Sequence, residues 1–413
     1  MSRRFFGSPS EKLTVVGITG TKGKTSVSFI VKGICEAAGV DVGIIGSNGV
    51  FYGNTHFKLP NTTPESYVLH KIMADMVDAG VRVVVLEATS QGFMMRRTDG
   101  LRFDIGVYTN ISYDHVSRLE HSSFEEYFAC KRLIFGQSDV CLVNRDAELF
   151  DRIVEGAGCE VVTYGFGDGS DYRGIDVSGN GGLTSRFACR APGFRDEFAL
   201  WLPGRFSVSN ALAAIGIADR LGIGVEEIRT GLAAARIPGR TEIVDVPAPY
   251  QVMIDFAHNK LSMEALIDSV QAVRPGRILV VFGLEGDRAR TRRFDCGDVL
   301  GRAVDYTILA DASPRFDDPD QIIADIAAGI ERSGGKGKYE VIRNRRQAIP
   351  AILGRAEPGD LVLLIGKGDV RYDEVMGHND PLDEREIVRD YFAHTATGEP
   401  ECLPQGVPIP ENA

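Results

Sequence analysis

Residues 15–28 read VVGITGTKGKTSVS and constrain the fold of this 413-residue chain more than any other stretch. A β-branched apolar run precedes the glycines and a helical pattern follows them, so the sequence predicts a strand, a tight turn and a helix. Gly20 and Gly23 allow the backbone to turn sharply and to direct its N–H groups inward. The start of the helix adds partial positive charge, so this stretch is typical of a loop that binds phosphate.

The loop has the short form G-x-x-G-K-[ST], because Ile18 stands where the longer P-loop pattern has its first glycine. Lys24 is predicted to contact the β- and γ-phosphates, and the Thr25 hydroxyl is predicted to hold Mg²⁺. The alternative is an ordinary strand–turn–helix with a surface lysine. The predicted nucleotide-binding residues of the loop are Gly20, Thr21, Lys22, Gly23, Lys24, Thr25 and Ser26.

Composition narrows the class of protein. The net charge of −11 argues against nucleic acid or an anionic membrane surface as a partner. No apolar run approaches the roughly 18 residues of a membrane span. The seven cysteines are scattered and lack C-x-x-C spacing, which is typical of reduced thiols in a cytoplasmic protein.

Alternating apolar strands and amphipathic helices from residue 13 to about residue 156 predict a parallel sheet covered on both faces. Residues 159–201 predict a small antiparallel patch, and a second alternating unit runs from about 242 to 392. The predicted fold is therefore α/β: a P-loop parallel-sheet ATPase domain with an antiparallel patch, then a Rossmann-like C-terminal domain. The predicted segments are an N-terminal arm (1–12), an ATP-binding domain (13–240) after which the chain hinges, a C-terminal domain (241–394) and a flexible tail (395–413).

Three side chains outside the loop have the chemistry of an active site. Glu87 ends an apolar strand, where a carboxylate reaches a metal held by phosphates, although a Glu in this place is often a solvated strand end. His115 also follows an apolar strand, in TNISYDH. Lys131 lies on an otherwise apolar helix face, where a bare ammonium is costly, so it either extends to water or is chemically altered.

Ten motifs occur in the order seen in the Mur ligases, which this chain resembles over about residues 13–392. They are GITGTKGKTS, NTTPES, LEATSQGF, TNISYDH, EEYFACKRLIF, LPGRFSVSNALAA, IPGRTE, MIDFAHNKLSMEAL, FGLEGDR and LIGKGD. The chain looks most like the MurE group, which adds the third residue of the peptidoglycan stem peptide.

The resemblance implies an ATP-dependent amide ligase that converts a substrate carboxylate to an acyl phosphate, which an amino acid's amine then attacks. Lys24, Glu87, His115 and Lys131 would be catalytic. Thr25 and Glu87 would hold one Mg²⁺, and Glu87, His115 and a carbamylated Lys131 would hold a second. Carbamylation would also explain the lysine on an apolar face, because it turns a cation into an anionic oxygen ligand.

The resemblance also assigns residues to the nucleotide. Asn210 would contact adenine, Arg240 the γ-phosphate and Asp255 the ribose, while His258 would reach the nucleotide from the second domain. Closure of that domain about Gly239 would complete the site.

For the acyl acceptor, Thr62, Thr63, Ser90 and Arg97 match positions that touch the muramoyl-dipeptide in the MurE group. Arg97 would pair with a carboxylate. Capping of a helix that begins at Pro64 is the alternative role of the two threonines.

Two motifs that select the amine depart from the MurE pattern. The D-N-P-R motif appears as A-S-P-R at 312–315, and G-K-G-H-E appears as G-K-G-D-V at 366–370. Arg315 would bind an amino-acid carboxylate, and Asp369 would meet a lysine-type ammonium or cap a turn. The loss of the glutamate at Val370 argues against diaminopimelate as the amine.

The family's N-terminal UDP-binding domain has no counterpart before the first strand, so UDP binding is expected to be absent or supplied by a separate partner chain. The expected substrates are a small-molecule or peptidyl carboxylate and an amino acid, and the expected state is a monomer or homodimer. Three other functions stay open: a Mur-like ligase of non-UDP carboxylates similar to folylpolyglutamate synthetases, a non-ligating ATP-binding subunit, and a P-loop kinase or GTPase.

Overall fold

The polypeptide forms two units, one from Met1 to Ile237 and the other beginning at Pro238. A computed structural model describes residues 1–112, 121–179, 183–273 and 275–397. The domain boundaries inferred from the sequence, and the tail beyond residue 397, stay predictions. The last described helix ends at Thr397, so residues 395–397 belong to that helix and not to a flexible tail.

In the first unit, helices follow most strands along the chain. The helices are α1 (Ser2–Phe5), a 3₁₀ turn (Pro9–Glu11), α2 (Lys24–Ala37), α3 (Ser66–Asp78), α4 (Ser90–Met94), α5 (Phe124–Gln137), α6 (Phe150–Val154), α7 (Arg205–Arg220) and α8 (Val225–Ala234). The strands are β1 (Thr14–Thr19), β2 (Val42–Gly46), β3 (Gly49–Tyr52), β4 (Thr55–Phe57), β5 (Val83–Glu87), β6 (Phe103–Tyr108), β7 (Ser138–Asn144), β8 (Glu160–Gly165), β9 (Tyr172–Gly179), β10 (Ser185–Arg190) and β11 (Arg195–Leu200).

These strands form one sheet, in the order β11-β10-β9-β8-β7-β6-β1-β5-β2-β3-β4. Six neighbouring strands of this sheet pair in parallel, so their carboxyl ends lie at the same edge: β8, β7, β6, β1, β5 and β2. Because β1 lies between β5 and β6, the loop after β1 is flanked by the ends of both. Ligands of parallel sheets bind at this edge, and the predicted phosphate loop lies there.

Both faces of the sheet are covered, because neighbouring residues of each central strand enter different cores. Val16 and Ile18 pack into one core with α2 and α7, whereas Val15 packs into the other with α3 and α5. Side chains alternate between the faces of a strand, and a strand buried on both faces therefore reads as a continuous apolar run. The predicted parallel sheet with helices on both faces is confirmed.

The predicted antiparallel patch is confirmed. The strands β9, β10 and β11 are antiparallel to one another, and β9 pairs in parallel with β8, so the patch extends the main sheet. The sequence analysis did not identify β8, nor the antiparallel hairpin of β3 and β4 at the other edge. These strands have short apolar runs, and such runs give only a weak periodic pattern in the sequence.

The second unit also alternates strands and helices. The strands are β12 (Glu242–Val244), β13 (Gln251–Asp255), β14 (Ile278–Phe282), β15 (Tyr306–Leu309), β16 (Tyr339–Val341), β17 (Leu361–Ile365), β18 (Tyr372–Val375) and β19 (His378–Pro381). The helices are α9 (Lys260–Gln271), α10 (Thr291–Ala303), α11 (Pro319–Arg332), α12 (Arg345–Leu353) and α13 (Glu384–Thr397).

Its main sheet has the order β12-β13-β17-β14-β15-β16, and β18 and β19 form a separate hairpin. Only the pairing of β12 with β13 is antiparallel among these neighbours. The loops after β14, β15 and β17 therefore leave the sheet at one edge, as the predicted Rossmann-like arrangement requires. Of the helices in the described part of the chain, none combines the length and apolar character needed to cross a bilayer.

Helices α2 and α8 pack closely through glycines, and this contact supports the helix that follows the phosphate loop. A Cβ at Gly231 would collide with the backbone of Ile34, and a Cβ at Gly33 would lie 3.1 Å from the carbonyl oxygen of Gly231. Backbone atoms at such a contact have little room to move.

We expect Gly231→Ala to lower the free energy of unfolding by about 2 kcal/mol, because it overpacks the contact between α2 and α8. The control is Gly136→Ala in α5, where a Cβ has no neighbour within 4 Å. Its free energy of unfolding should be unchanged or slightly higher than that of wild type, because alanine favours a helix more than glycine does. Denaturant titration of both variants measures the difference. Equal stability of the two would contradict the predicted collision.

Candidate active site

The phosphate loop between β1 and α2 has the backbone that only glycine adopts readily. The φ angles of Gly20 and Gly23 are +139° and +89°. A Cβ at Gly20 would collide with Thr109 Oγ1, and a Cβ at Gly23 would collide with Asn210 Oδ1. Both conformation and space therefore require glycine, and the loop brings Asn210 from α7 against its second glycine.

Two residues at the end of β6 hold this loop in shape. The Thr21 N–H donates to the Asn110 carbonyl at 3.0 Å, and the Lys22 N–H donates to Asn110 Oδ1 at 2.9 Å. Thr109 Oγ1 donates to the Lys22 carbonyl at 2.6 Å. In TNISYDH, only His115 was predicted to be functional. Thr109 and Asn110 directly follow an apolar strand, and that position is the signal that could have identified them.

Two lysines converge on one backbone oxygen of the loop. Lys24 Nζ donates to the Gly20 carbonyl at 2.9 Å and to the Thr21 carbonyl at 3.3 Å, and Lys131 Nζ donates to the Gly20 carbonyl at 2.8 Å. Lys131 is 2% exposed, and its ammonium lies 4.7 Å from the centre of the Tyr127 ring. The side chain therefore does not extend to water, which excludes that alternative.

Tyr127 links α5 to the same loop. Its hydroxyl lies 2.9 Å from Thr21 Oγ1, which also accepts the Ser112 N–H at 3.1 Å. The spacing of Tyr127 and Lys131 places them on one face of α5, one turn apart. The sequence analysis treated Tyr127 as part of an apolar face and missed its polar contact.

Glu87 is the last residue of β5, and its backbone pairs with Ile18 of β1. Its side chain is fully buried, so it is not a solvated strand end. The Ser47 N–H donates to Oε1 and the Ser47 hydroxyl donates to Oε2, both at 3.1 Å. Among the residues that the structure describes, no basic side chain forms an ion pair with Glu87. A buried carboxylate without a cation is unfavourable, so this site fits a divalent ion.

The other predicted metal ligands are placed in part. Thr25 is buried in the first turn of α2. His115 lies outside the described residues. No cluster of three or more His, Cys, Asp or Glu side chains suited to a metal occurs within the described ranges.

Thr62 and Thr63 lie beside Glu87. Thr63 Oγ1 donates to the Glu87 carbonyl at 2.8 Å and lies 2.9 Å from Thr89 Oγ1. Thr62 Oγ1 lies 3.1 Å from the hydroxyl of Ser47. Neither threonine caps a helix, because the N-cap of α3 is Glu65.

Ser90 and Arg97 lie near these threonines. The Arg97 guanidinium donates to the Thr63 carbonyl at 3.2 Å and pairs with Glu65 at 2.7 Å. Ser90 Oγ lies 2.9 Å from Nε2 of the fully buried His121. The sequence analysis did not assign His121, whose contact with Ser90 joins residues distant in the chain.

A cleft of about 420 Å³ opens beside the phosphate loop and is bordered by Asn110 and Asn210. Asn144 at the end of β7, Phe166 and Arg205 also border it. The Arg205 guanidinium carbon lies 3.7 Å from the centre of the Phe166 ring. The cleft combines an aromatic ring with amide groups, which suits a planar heterocycle.

In the second unit, the three residues predicted to contact nucleotide gather around Phe256. The Arg240 guanidinium carbon lies 4.3 Å from the ring centre, and His258 Nδ1 lies 2.9 Å from the Phe256 carbonyl. Asp255 ends β13, and its carboxylate accepts the N–H groups of Thr241 and Ala257. Burial raises the pKa of Asp255, and the nearby Arg240 opposes this.

Arg315 lies in the loop after β15 between two carboxylates. Its guanidinium lies 3.2 Å from Glu374 and 3.4 Å from Glu285. Asp369, in the loop after β17, is buried with the guanidinium groups of Arg371 and Arg385 each at 3.4 Å. Asp369 is therefore paired with two arginines, and its contact with a substrate ammonium stays a prediction.

Residues 18–218 match the Mur ligase middle domain, and residues 239–368 match the Mur ligase glutamate ligase domain.

Among the relatives, a UDP-N-acetylmuramoyl-L-alanyl-D-glutamate–2,6-diaminopimelate ligase of Caldanaerobacter subterraneus subsp. tengcongensis is 35% identical over 396 residues, which are 96% of this chain and 81% of the relative. The enzyme of the same name from Clostridium perfringens is 34% identical over 397 residues, which are 94% and 80% of the two chains.

A solved structure of a ligase with this name matches with a TM-score of 0.67 and 25% identity, covering 96% of this chain and 83% of that one. The Mycobacterium tuberculosis folylpolyglutamate synthase complexed with ADP matches with a TM-score of 0.72 and 20% identity, covering 97% and 93%, and shares the fold. The resemblance drawn from the ten motifs is confirmed, and the chain belongs to the Mur ligase family of ATP-dependent, amide-forming ligases.

Proposed function

We propose that this chain joins the carboxylate of a UDP-muramoyl-dipeptide to the amine of an amino acid, with ATP converted to ADP and phosphate. The names of the relatives support the substrate class. The observation that carries the proposal is the buried Glu87 carboxylate, which has no ion-pair partner in the described chain and ends the strand beside the phosphate loop. We also propose that the protein is located in the cytoplasm and that it is a monomer or a homodimer.

The phosphate loop provides the positive end of the site. Lys24 rests on the carbonyls of Gly20 and Thr21, so its ammonium is already held within reach of the loop. The N–H groups at the start of α2 point to the same place. These groups would bind the triphosphate, and the cleft beside Asn210 would hold its purine.

Thr25 and Glu87 fit Mg²⁺, because a hydroxyl and a carboxylate are the oxygen ligands that this ion prefers. The bound ion would neutralise charge on the phosphate oxygens during transfer. Ser47 donates to both carboxylate oxygens of Glu87, which orients the carboxylate without adding charge.

The Lys131 amine is proposed to be carbamylated. Its neutral form would attack CO₂, forming an N–C bond and releasing one proton. The buried position supports this, since an anionic carbamate near bound Mg²⁺ replaces an ammonium that lacks solvent. A role beside His115 at a second metal follows from the family resemblance.

Thr62, Thr63, Ser90 and Arg97 would bind the dipeptide acceptor. Thr62 and Thr63 lie beside Glu87, and Arg97 donates to the Thr63 carbonyl. This arrangement would place an acceptor carboxylate near the γ-phosphate. The carboxylate of the incoming amino acid would bind Arg315.

The direct test is phosphate release from ATP and Mg²⁺ with a panel of amino acids that includes diaminopimelate and lysine. Each amino acid is tested with and without UDP-muramoyl-dipeptide. We expect release only when an acceptor and an amine are both present, with ligated product detected by mass. Release that ignores both substrates would contradict the proposal.

We expect Gly23→Ala to weaken ATP binding at least about tenfold, because the added Cβ collides with Asn210 and strains the backbone. Gly39→Ala is the matched control, since Gly39 also has a positive φ but lies beyond the far end of α2 with open space around it. Calorimetric titration with ATP measures the affinity of both variants. Equal loss of affinity in both would show that the effect is only on stability.

We expect Lys131→Ala to abolish ligation, and short carboxylic acids to restore part of it by supplying the lost anionic oxygens. The control is Lys71→Ala, because Lys71 is an exposed lysine paired with Asp75 on α3. Product formation with increasing acetate measures the rescue. Full activity of Lys131→Ala without any acid would disprove the metal-binding role.

We expect Arg315→Ala to raise the KM for the amino acid about a hundredfold with little change in the KM for ATP, because the carboxylate of the amino acid loses its charge-assisted partner. Arg332→Ala, which removes an exposed arginine of α11, should leave both constants unchanged. Steady-state kinetics with each substrate varied provides the measurement. An equal rise in both constants for Arg315→Ala would reject the assignment.

A further inference from the structure

The loop that carries Arg315 has two residues in an unfavourable backbone conformation. Ser313 and Arg315 have φ angles of +49° and +54°, in the left-handed region that side chains other than glycine rarely adopt. Such residues persist only where surrounding contacts hold them. The contacts that hold this loop therefore decide where the Arg315 guanidinium points.

Strand β18 supplies most of these contacts. The Arg315 N–H donates to the Glu374 carbonyl at 2.9 Å, and the Met376 N–H donates to the Arg315 carbonyl at 3.0 Å. The Glu374 N–H donates to Ser313 Oγ at 3.1 Å, and the Ser313 N–H donates to Asp373 Oδ1 at 3.0 Å. Both left-handed residues are thus fixed to the same short strand.

Asp373 is in turn held by a lysine from another loop. Lys367 follows β17, is 2% exposed, and donates from Nζ to Asp373 Oδ1 and, at 2.6 Å, to the Tyr372 carbonyl. Removing one partner of a buried ion pair leaves the other charge uncompensated. The loops after β15 and β17 are therefore joined through one buried charge pair at the start of β18.

We infer that the buried Lys367–Asp373 ion pair positions Arg315 to receive the carboxylate of the incoming amino acid. The inference rests on the proposed role of Arg315 in the second unit. Lys367 and Asp373 touch neither reactant in this arrangement. They act through Ser313 and through the backbone of Glu374.

The electrostatics agree with this role. Burial lowers the pKa of Lys367, and the adjacent Asp373 carboxylate opposes that shift. Asp373 therefore favours the charged lysine in a place that water does not reach. Without Asp373, the Ser313 N–H also loses its acceptor, and the left-handed turn loses a contact that offsets its strain.

The test compares Asp373→Asn, Lys367→Met and the double variant in the full-length chain. The matched control is Asp360→Asn, because Asp360 is also a buried aspartate in an ion pair, with Arg277 at 2.6 Å. Asp360 directly precedes β17 and so lies at the opposite end of that strand from Lys367. Its loss should affect stability without reaching the Arg315 loop.

Hydrogen exchange is measured first, since it needs no substrate. We expect the amides of Ser313, Arg315, Phe316 and residues 374–376 to exchange about tenfold faster in both single variants than in wild type or Asp360→Asn. The double variant should be less affected than the sum of the singles, because it leaves no uncompensated charge. Unchanged exchange in Asp373→Asn would overturn the inference.

Kinetics give the second readout. We expect the two single variants to raise the KM for the amino acid about tenfold while the KM for ATP changes less than about twofold. Faster exchange without this split would also overturn the inference, because the pair would then be only structural. If wild type releases no phosphate with any amino acid, the proposed function fails, while hydrogen exchange still decides whether the pair positions Arg315.

Discussion

The carbonyl oxygen of Gly20 accepts hydrogen bonds from two lysines, and the arrangement of the first unit depends on that convergence. Lys24 reaches it from the first turn of α2, and Lys131 reaches it from α5. Helix α5 must pack against the loop for this to occur, and Tyr127 reinforces the contact through Thr21. The Lys24 ammonium thus lies at the end of β1 before any anion is bound, and a site preorganised in this way avoids rearrangement during reaction.

Much of this site could be predicted from local sequence patterns. The strand, glycine turn and helix at 14–37 were clear from the sequence because each element has a strong pattern of its own. The position of Glu87 at a strand end followed from one apolar run. The motifs identified the family, and the comparisons agree with them.

Long-range contacts explain what the sequence did not reveal. Ser47 meets Glu87 only because β2 lies beside β5, and Thr109 meets the phosphate loop only because β6 lies beside β1. Strand order is not encoded in any single segment, so these partners have no local signature. The extension of the sheet by β9 to β11 was missed for the same reason.

In the second unit, the loop of a substituted motif is held by contacts that are distant in the chain. Residues 312–315 retain Arg315 but replace the acidic and amide residues of the family pattern. The loop turns through two left-handed residues, which strand β18 holds through contacts with Ser313 and Arg315. Asp369, chosen from its place in a motif, lies against two arginines, which only the folded chain could reveal.

The pairing of Lys22 with Asn110 joins residues that are 88 positions apart, and this separation has a consequence for folding. Closing so long a segment costs chain entropy before the contact returns any free energy. A nascent chain emerging from the ribosome therefore carries its glycine turn for some time without the residues that shape it. Anion affinity should appear only after β6 has joined the sheet, when about half of the first unit has been synthesised.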